Sequence, residues 1–490
     1  MTAFSSGSNY FDIAVNKPEA TTLPRTATFK SASGSSYIGF TDAKGNQISS
    51  WRSENAVWDP AEYAINDASC GDLDGDGEYE IVVKWDCWGK DNSQTGLTGT
   101  VYLDAYKLDG TRLWRIDLGR NIRAGAHYTQ FLVYDFDGDG KAEVTCKTAP
   151  GSKDGTGAYV SSASSDSTIN STDNTASYIN DSGYILDGPE YFTIFNGQTG
   201  AAEDTIYYPN QRVNASVWGD NYGNRVDRYT ADVAYLDGTT PYAVYMRGYY
   251  FGSGQRQAAC AVSFDGSKLN CKYSFDTYDV TSYSNKSSSS SYDSNGNYKG
   301  VNGYRDGNGI YVGQGNHNCT VADVDNDGRD EVLTGALCYE LDTTKDILTP
   351  KWCTFKGHGD ALHIGDYDPT HSGYEFFVVH EEGGGTDTMS GQNVTLDFGM
   401  SLIDAATGNF LFHKSASKDT GRGMMANVGA GGYYQMNAGS QVAAHIAKGN
   451  DVYEESSYRF SNNFRIFWDG DLYDELLDGT TITAWNKNTL

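Results

Sequence analysis

Three nine-residue stretches carry the clearest chemistry in this sequence: Asp72-Leu-Asp-Gly-Asp-Gly-Glu-Tyr-Glu80, Asp135-Phe-Asp-Gly-Asp-Gly-Lys-Ala-Glu143 and Asp323-Val-Asp-Asn-Asp-Gly-Arg-Asp-Glu331. Each sets Asp at alternate positions (Asp72, Asp74, Asp76; Asp135, Asp137, Asp139; Asp323, Asp325, Asp327) and closes on a Glu (Glu80, Glu143, Glu331). In a tight loop, alternate carboxylates turn toward one centre, Gly permits the bend, and the late Glu closes the site from the next strand. Calcium, which takes roughly six to eight oxygens at flexible geometry, fits that donor set. One acidic turn is commonly just a solvated turn, but three near-complete copies argue for a built site. Two weaker echoes stand at 366–375 (DYDPTHSGYE) and 469–475 (DGDLYDE). The loops are expected to clamp each turn to the strand behind it, so that calcium supports stability before activity.

The elements around these loops repeat. Each acidic loop runs directly into an apolar strand: EIVVKW, EVTCK, EVLTGA and, after the first echo, EFFVVH. Hairpins follow at Asp109-Gly110, Asn196-Gly197, Asp265-Gly266, Thr407-Gly408 and Asp478-Gly479. Asp-Gly and Asn-Gly suit tight hairpin turns in which both central residues have positive φ. A strand plus hairpin, repeated at irregular spacing without linkers, points to β-propeller blades in a single domain over 1–490. Stretches 161–180, 280–309 and 383–395 read as loop insertions, the first two polar and mobile.

Composition agrees with an all-β chain and narrows the partners. Gly is high at 57, Pro low at 9, and Tyr abundant at 36. Asp plus Glu total 64 against 36 Lys plus Arg, a net charge of -28. That balance argues against nucleic acid and anionic membranes as partners. The opening MTAFSSGSNYFD has neither a basic start nor an apolar run and does not read as a secretory leader. None of the eight cysteines forms a CxxC pair, which argues against zinc. Cys260 and Cys271 flank a hairpin and are the best pair for a disulfide; buried thiols are the alternative.

The segments around the loops are distinctive as a set. They include Asn66-Asp-Ala-Ser-Cys-Gly before the first loop, Lys84-Trp-Asp86, Asn121-Ile-Arg-Ala-Gly-Ala-His-Tyr-Thr-Gln-Phe131 and Tyr184-Ile-Leu-Asp-Gly-Pro-Glu190. Further on stand Trp218-Gly-Asp-Asn-Tyr-Gly-Asn-Arg-Val-Asp-Arg228, Gly313-Gln-Gly-Asn-His-Asn318, Gly357-His-Gly-Asp-Ala-Leu-His363, Val379-His-Glu381 and Lys418-Asp-Thr-Gly-Arg-Gly-Met424. From about Asn9 onward the chain resembles the rhamnogalacturonan lyases of polysaccharide lyase family 11. The resemblance implies an eight-bladed, calcium-rich propeller that cleaves the rhamnose–galacturonate bond of rhamnogalacturonan I, a secreted enzyme acting on plant cell wall. It implies that His317, His358, Asp360 and Glu381 hold a calcium in the cleft, that Asn66 and Asp86 contact galacturonate, and that Asp67 belongs to a neighbouring calcium site. Family members begin earlier and continue past Leu490, so the expected ring is incomplete at both ends.

β-Elimination on a uronate requires a neutralised carboxylate, a base for the C5 proton, and help for the leaving oxygen. A bound calcium answers the first need and explains how an acidic protein holds a polyanion. Mixed His and carboxylate ligands are more usual for zinc or manganese, so the four residues alone leave the metal open. His127, Arg123 and Lys84 lie in motif segments and are the candidate bases. Arg225, Arg228 and Arg422 sit in Gly-rich turns suited to carboxylate pairing, with substrate contact assigned to Arg225 and Arg422. Trp85, Trp88 and Trp218 are candidate sugar platforms. The alternatives are a non-catalytic calcium-dependent carbohydrate-binding or adhesion propeller, and a hydrolase built on two carboxylates.

Overall fold

The computed structural model describes residues 63–250, 256–277, 310–429 and 463–484, less a few loop positions, and the backbone of strands within 25–48, 302–305 and 433–456. Among the described residues six four-stranded antiparallel meanders follow one another along the chain, and strand Asn302–Arg305 joins the third and fourth into one nine-stranded sheet. Blade 1 comprises strands Tyr63–Gly71, Glu80–Cys87, Tyr102–Tyr106 and Arg112–Asp117; blade 2 comprises Phe131–Tyr134, Glu143–Thr148, Tyr191–Phe195 and Ala202–Tyr207. Blade 3 is Tyr229–Ala234, Tyr242–Arg247, Ala258–Phe264 and Leu269–Asp276; blade 4 is Thr320–Ala322, Glu331–Thr334, Leu337–Asp342 and Ile347–Cys353. Blade 5 is Gly359–Gly365, Glu375–His380, Phe398–Asp404 and Phe410–Ser415; blade 6 is Gly423–Gly429, Tyr433–Ala438, Ala444–Lys448 and Asp451–Ser456. First strands of consecutive blades abut, which places them innermost around a common axis.

The expectation of eight blades is corrected to six. Among the described residues the sheets at 25–48 and 464–483 each have three strands and do not make up a four-stranded blade. The irregular spacing of turn signals hides this, because a three-stranded sheet and a blade share the same strand-plus-hairpin signature.

The core lies between blades. One cluster joins Val82 and Leu103 of blade 1 to Val144 and Phe195 of blade 2. Others join Phe192 to Tyr245 and Phe264, Val244 to Val332 and Leu341, and Leu333 to Phe376 and Ile403. In blades 1 to 5 the second strand is packed on both faces, so its sequence reads as a continuous apolar run with no alternation: strand Glu375–His380 is buried throughout.

The hairpins form where expected, with different turn chemistry. Gly110, Gly266 and Gly408 have positive φ, but Asp109 and Asp265 do not. The Asp instead accepts backbone N–H groups ahead of it: Asp109 from Thr111, and Asp265 from Ser267 and Lys268. A bulge follows in the third-to-fourth strand pairing of blades 1 to 5. A turn followed by one left-handed glycine and a bulge is the longer hairpin connection.

Stretch 161–180 is folded, with a 3-10 turn at Val160–Ala163 and a short helix at Ser167–Asn170 capped by Asp166. Stretch 280–309 lies largely outside the described residues; within it, strand Asn302–Arg305 pairs in parallel with blades 3 and 4. Cys260 and Cys271 are not bonded to each other, because the register sets Cys260 opposite Ser274 and Cys271 opposite Val262. Trp85 and Trp218 are core residues, 2% and 1% exposed. Their indole N–H groups donate to Asp104 and to the Arg212 carbonyl, so neither offers a face to a sugar. Trp88 lies outside the described residues.

Candidate metal centre and cleft

A meander places the start of each first strand and the end of each second strand at the same end of a blade. The side chains implied by the resemblance occupy that end, and the acidic loops occupy the other. His317 precedes blade 4, His358 and Asp360 open blade 5, and Glu381 follows strand Glu375–His380. One ligand atom from each of the four lies within 4.8 Å of the others.

The donors aim at a shared point. His358 Nδ1–H donates to the Gly315 carbonyl over 3.1 Å, which leaves the Nε2 lone pair facing the cluster. His358 Nε2 and Glu381 Oε2 stand 3.0 Å apart, yet both are buried without a hydrogen-bond partner. Two such atoms, close together but misaligned for each other, are what a cation between them would satisfy. His317 Nε2 lies 3.2 Å from Asp360 Oδ1 and 3.3 Å from Tyr250 Oη. Burial holds the His317 imidazole below its usual pKa, which keeps it neutral for ligation.

Negative charge is crowded here. Asp419, which precedes blade 6, hydrogen-bonds Asp360; burial and then the Asp360 and Glu381 charges push it up. Glu382 is pushed up to about 7 by burial and by Glu381, with Arg225 opposing. Gly383 permits this crowding, since a Cβ there would sit 2.1 Å from Lys418 backbone atoms. The donor set therefore fits a divalent cation. Aromatic rings wall it: Tyr249 stacks on His358 at 5.5 Å, and Tyr250 lies 4.5 Å from His358. The guanidinium groups of Arg225 and Arg228 stand over the Tyr250 ring at 5.1 and 4.6 Å. Tyr249, Tyr250, Glu382 and Asp419 were not foreseen from the sequence. Their one signal is position, immediately past a buried strand end or within a quoted motif.

The three candidate bases separate. His127 lies 5.2 Å from His317, ring to ring, and so borders the cluster. Lys84 is fully buried and donates to the carbonyls of Tyr128 and Thr129, out of reach of a polymer. Arg123 donates to the carbonyls of Gln94, Gly96 and Gly183, so it is a loop clamp. Both positions are corrected to structural roles, Lys84 fixing the turn that carries His127.

Asp86 is nearly buried and pushed up to about 6 by burial, with Lys84 opposing; its Oδ1 has no hydrogen-bond partner. Asn66 is exposed and occupies the bulge at which the register slips between Ile65 and Asp67. Bulges of this kind re-aim side chains beside active sites. Asp67 accepts only its neighbour Ala68 N–H and joins no metal-type cluster among the described residues. Arg422 is exposed and donates to Asn463.

At the opposite end, each acidic loop brings together its first Asp, second Asp and Glu: Asp72, Asp74 and Glu80; Asp135, Asp137 and Glu143; Asp323, Asp325 and Glu331. The echo Asp469, Asp471 and Glu475 does likewise. The third Asp stays out: Asp76, Asp139 and Asp327 each accept the N–H two residues on. In every loop the Glu accepts a backbone N–H from the loop start, including Leu73, Phe136, Val324 and Trp468. In the 366–375 echo, Glu375 does the same for Tyr367 and Asp368, and its other oxygen is buried without a partner.

These loops predict a pH effect. Burial, reinforced by Asp137 and Glu203, pushes Glu143 up to about 8, and burial pushes Glu331 up to about 7. A carboxyl whose folded pKa is raised stabilises the fold fully below its unfolded value of roughly 4.3 and loses that contribution as pH rises through the folded pKa. The chelated protein should therefore lose melting temperature between about pH 5 and 8.5, and calcium should flatten that decline. Parallel melting curves with and without calcium would contradict this.

Comparison with known proteins places the chain. Residues 52–490 match the family model for rhamnogalacturonan lyase family 11, C-terminal domain. The chain is 44% identical over 425 residues to rhamnogalacturonan endolyase YesW of Bacillus subtilis strain 168, covering 86% of this chain and 59% of that protein. It is 44% identical over 428 residues to rhamnogalacturonan exolyase YesX of the same organism, covering 86% and 60%. It thus spans about three fifths of the length of these relatives. The crystal structure of YesW superposes with a TM-score of 0.71 at 40% identity, covering 97% of this chain and 66% of that one. The Bacillus licheniformis PL11 rhamnogalacturonan lyase gives 0.70 at 41%, covering 96% and 67%. With the family model covering most of its length, the chain belongs to rhamnogalacturonan lyase family 11.

Proposed function

We propose that this protein is a calcium-dependent, extracellular lyase that cleaves the rhamnose–galacturonate α-1,4 bond of rhamnogalacturonan I by β-elimination, leaving unsaturated galacturonate ends. The observation that carries the reading is the pair of buried, unpartnered atoms His358 Nε2 and Glu381 Oε2, converging with His317 and Asp360 at the end of the blades where Asn66 and Asp86 also lie. A binding propeller has no need of that constellation.

Calcium, when bound, supplies a Lewis acid that takes a carboxylate oxygen and offsets its charge. His317, His358, Asp360 and Glu381 would hold it, and the Gly315 carbonyl fixes the His358 tautomer. Asn66 and the free oxygen of Asp86 orient the galacturonate ring. Arg225 contributes positive charge over Tyr250, beside the acidic wall. His127 borders the centre where proton transfer has to occur.

Absorbance of unsaturated uronate during action on rhamnogalacturonan I, with calcium and with chelator, tests the proposal. A rise abolished by chelation is expected. Saturated products would identify a hydrolase; no cleavage with retained binding would identify a carbohydrate-binding module.

The two relatives differ in endo and exo action at equal identity to this chain, so overall identity does not decide it. Thr386–Asp387 pairs with Val394–Thr395 into a hairpin rooted directly after Glu381 and Glu382. Such a hairpin blocks one end of a groove and favours exo cleavage. Deleting 386–395 should convert short products into a longer ladder on gel filtration; an unchanged product profile would remove the hairpin from this role.

A further inference from the structure

The connection between blades 2 and 3 leaves strand Ala202–Tyr207 and enters strand Tyr229–Ala234. In a meander the fourth strand ends where the next first strand begins, so this connection lies at the cleft end. Within it one buried carboxylate pins a whole turn. Asp220, 8% exposed, accepts the N–H groups of Tyr222, Gly223 and Asn224 on Oδ1 at 3.0, 2.7 and 3.2 Å, and that of Arg225 on Oδ2 at 2.7 Å. Successive N–H groups gathered on one carboxylate make a tightened Asx turn. Gly223 has φ +80°, and a Cβ there would stand 2.9 Å from Leu186, so the turn is pressed against the loop of blade 2. Val226, fully buried, anchors its other side.

The turn holds an aromatic ring out to solvent. Tyr222 is 37% exposed. Its ring lies 6.0 Å from that of Tyr184, tilted by 39°. Tyr184 in turn carries the Arg123 guanidinium at 5.3 Å, and its N–H donates to Asn180. The same turn carries Arg225, which stands 5.1 Å from the centre of the Tyr250 ring, and Tyr250 Oη is 3.3 Å from His317 Nε2. One rigid turn thus connects the metal centre to an open aromatic face. A ring held by four hydrogen bonds to its turn has already lost the freedom that binding a polymer would otherwise cost.

We infer that Tyr222 is a specificity-determining residue that packs on a rhamnosyl unit next to the galacturonate at the metal centre, and that Asp220 is its positioning residue. The inference rests on the reading of the cleft as a rhamnogalacturonan site. Chemistry selects the sugar. A tyrosine face is electrostatically negative and repels a uronate carboxylate, which the metal centre and Arg225 attract instead. Rhamnose has no charge, and its 6-deoxy carbon is a methyl group, so it offers apolar surface to a ring. The two sugars alternate along the polymer, as charged and aromatic contacts alternate along this side of the cleft.

Initial rates on rhamnogalacturonan I test the assignment. Tyr222→Ala should raise KM about fivefold and act little on kcat, the mark of binding shared by ground and transition states. Tyr222→Trp should keep the parent KM. Asp220→Ala should raise KM further, because Arg225 loses its place as well. Inhibition by oligogalacturonate, which has no rhamnose, should be equally strong in Tyr222→Ala and the parent chain. A ring that only covers Tyr184 would lower the melting temperature on removal and leave KM alone. An unchanged KM in Tyr222→Ala, or oligogalacturonate inhibition that weakens with it, would overturn the inference. If the parent chain is retarded by rhamnogalacturonan in affinity gel electrophoresis without cleaving it, the lyase reading alone fails. Retardation should then weaken in Tyr222→Ala, and equal retardation of the two would overturn the inference as well. A parent chain with neither activity nor retardation would overturn both.

Discussion

Replacing Glu381 by Gln is expected to lower turnover of rhamnogalacturonan I by at least about 100-fold at micromolar calcium. Outer-shell partners of metal ligands are typically worth 10 to 100-fold in metal affinity or activity, and a charged ligand exceeds them. The substitution keeps shape and removes one charge from a centre where Glu381, Asp360, Asp419 and Glu382 crowd together. His358→Ala should act alike, since it deletes the donor whose direction the Gly315 carbonyl sets. The signature that separates ligation from general damage is calcium dependence: millimolar calcium should restore part of the Glu381→Gln rate. Melting temperature should barely move, because the acidic loops lie at the opposite end of the blades. Full activity of both variants at low calcium would exclude a metal at this centre.

The second large effect is on folding. Glu190 and Asp227 sit buried among three cations: Lys147 at 2.8 Å from Glu190 and 2.9 Å from Asp227, Arg212 at 2.9 Å from Glu190, and Arg247 at 3.1 Å from Glu190. Glu190→Gln leaves three buried cations facing one carboxylate. Removing one partner of a buried ionic cluster destabilises by about 3–5 kcal/mol, and denaturant unfolding should register a loss of that size. Lys345→Gln, which breaks an exposed pair with Asp342, should leave the unfolding midpoint almost where it is. Burial opposes ionisation of Glu190, but Arg212, Arg247 and Lys147 outweigh it and hold the carboxyl well below its usual range. Its stabilisation is thus present above the unfolded carboxyl pKa and lost as pH falls through the depressed one. Acid unfolding should begin at higher pH in Glu190→Gln than in the parent chain, and identical acid limbs would contradict the assignment.

The acidic loops, the buried second strands and the hairpin positions follow from the sequence alone, since each is a short-range pattern. The first two alternate Asp residues and the closing Glu converge in each loop, while the third Asp turns back to the N–H two residues on, and an apolar run closed by Asp-Gly makes a strand and a turn. The membership of the cleft was reachable through motif resemblance for His317, His358, Asp360 and Glu381. Tertiary structure alone decided the rest. Whether a strand-and-hairpin unit closes into a four-stranded blade depends on a partner strand far along the chain, which is why the count is six and not eight. Whether Lys84, Arg123, Trp85 or Trp218 faces substrate or core depends on packing between blades, and all four turned inward. Which side chain meets an acidic loop depends on a bulge in a different strand, as where Lys351 comes to lie 2.6 Å from Asp325. No local pattern encodes which residue a register slip will leave pointing at a neighbour.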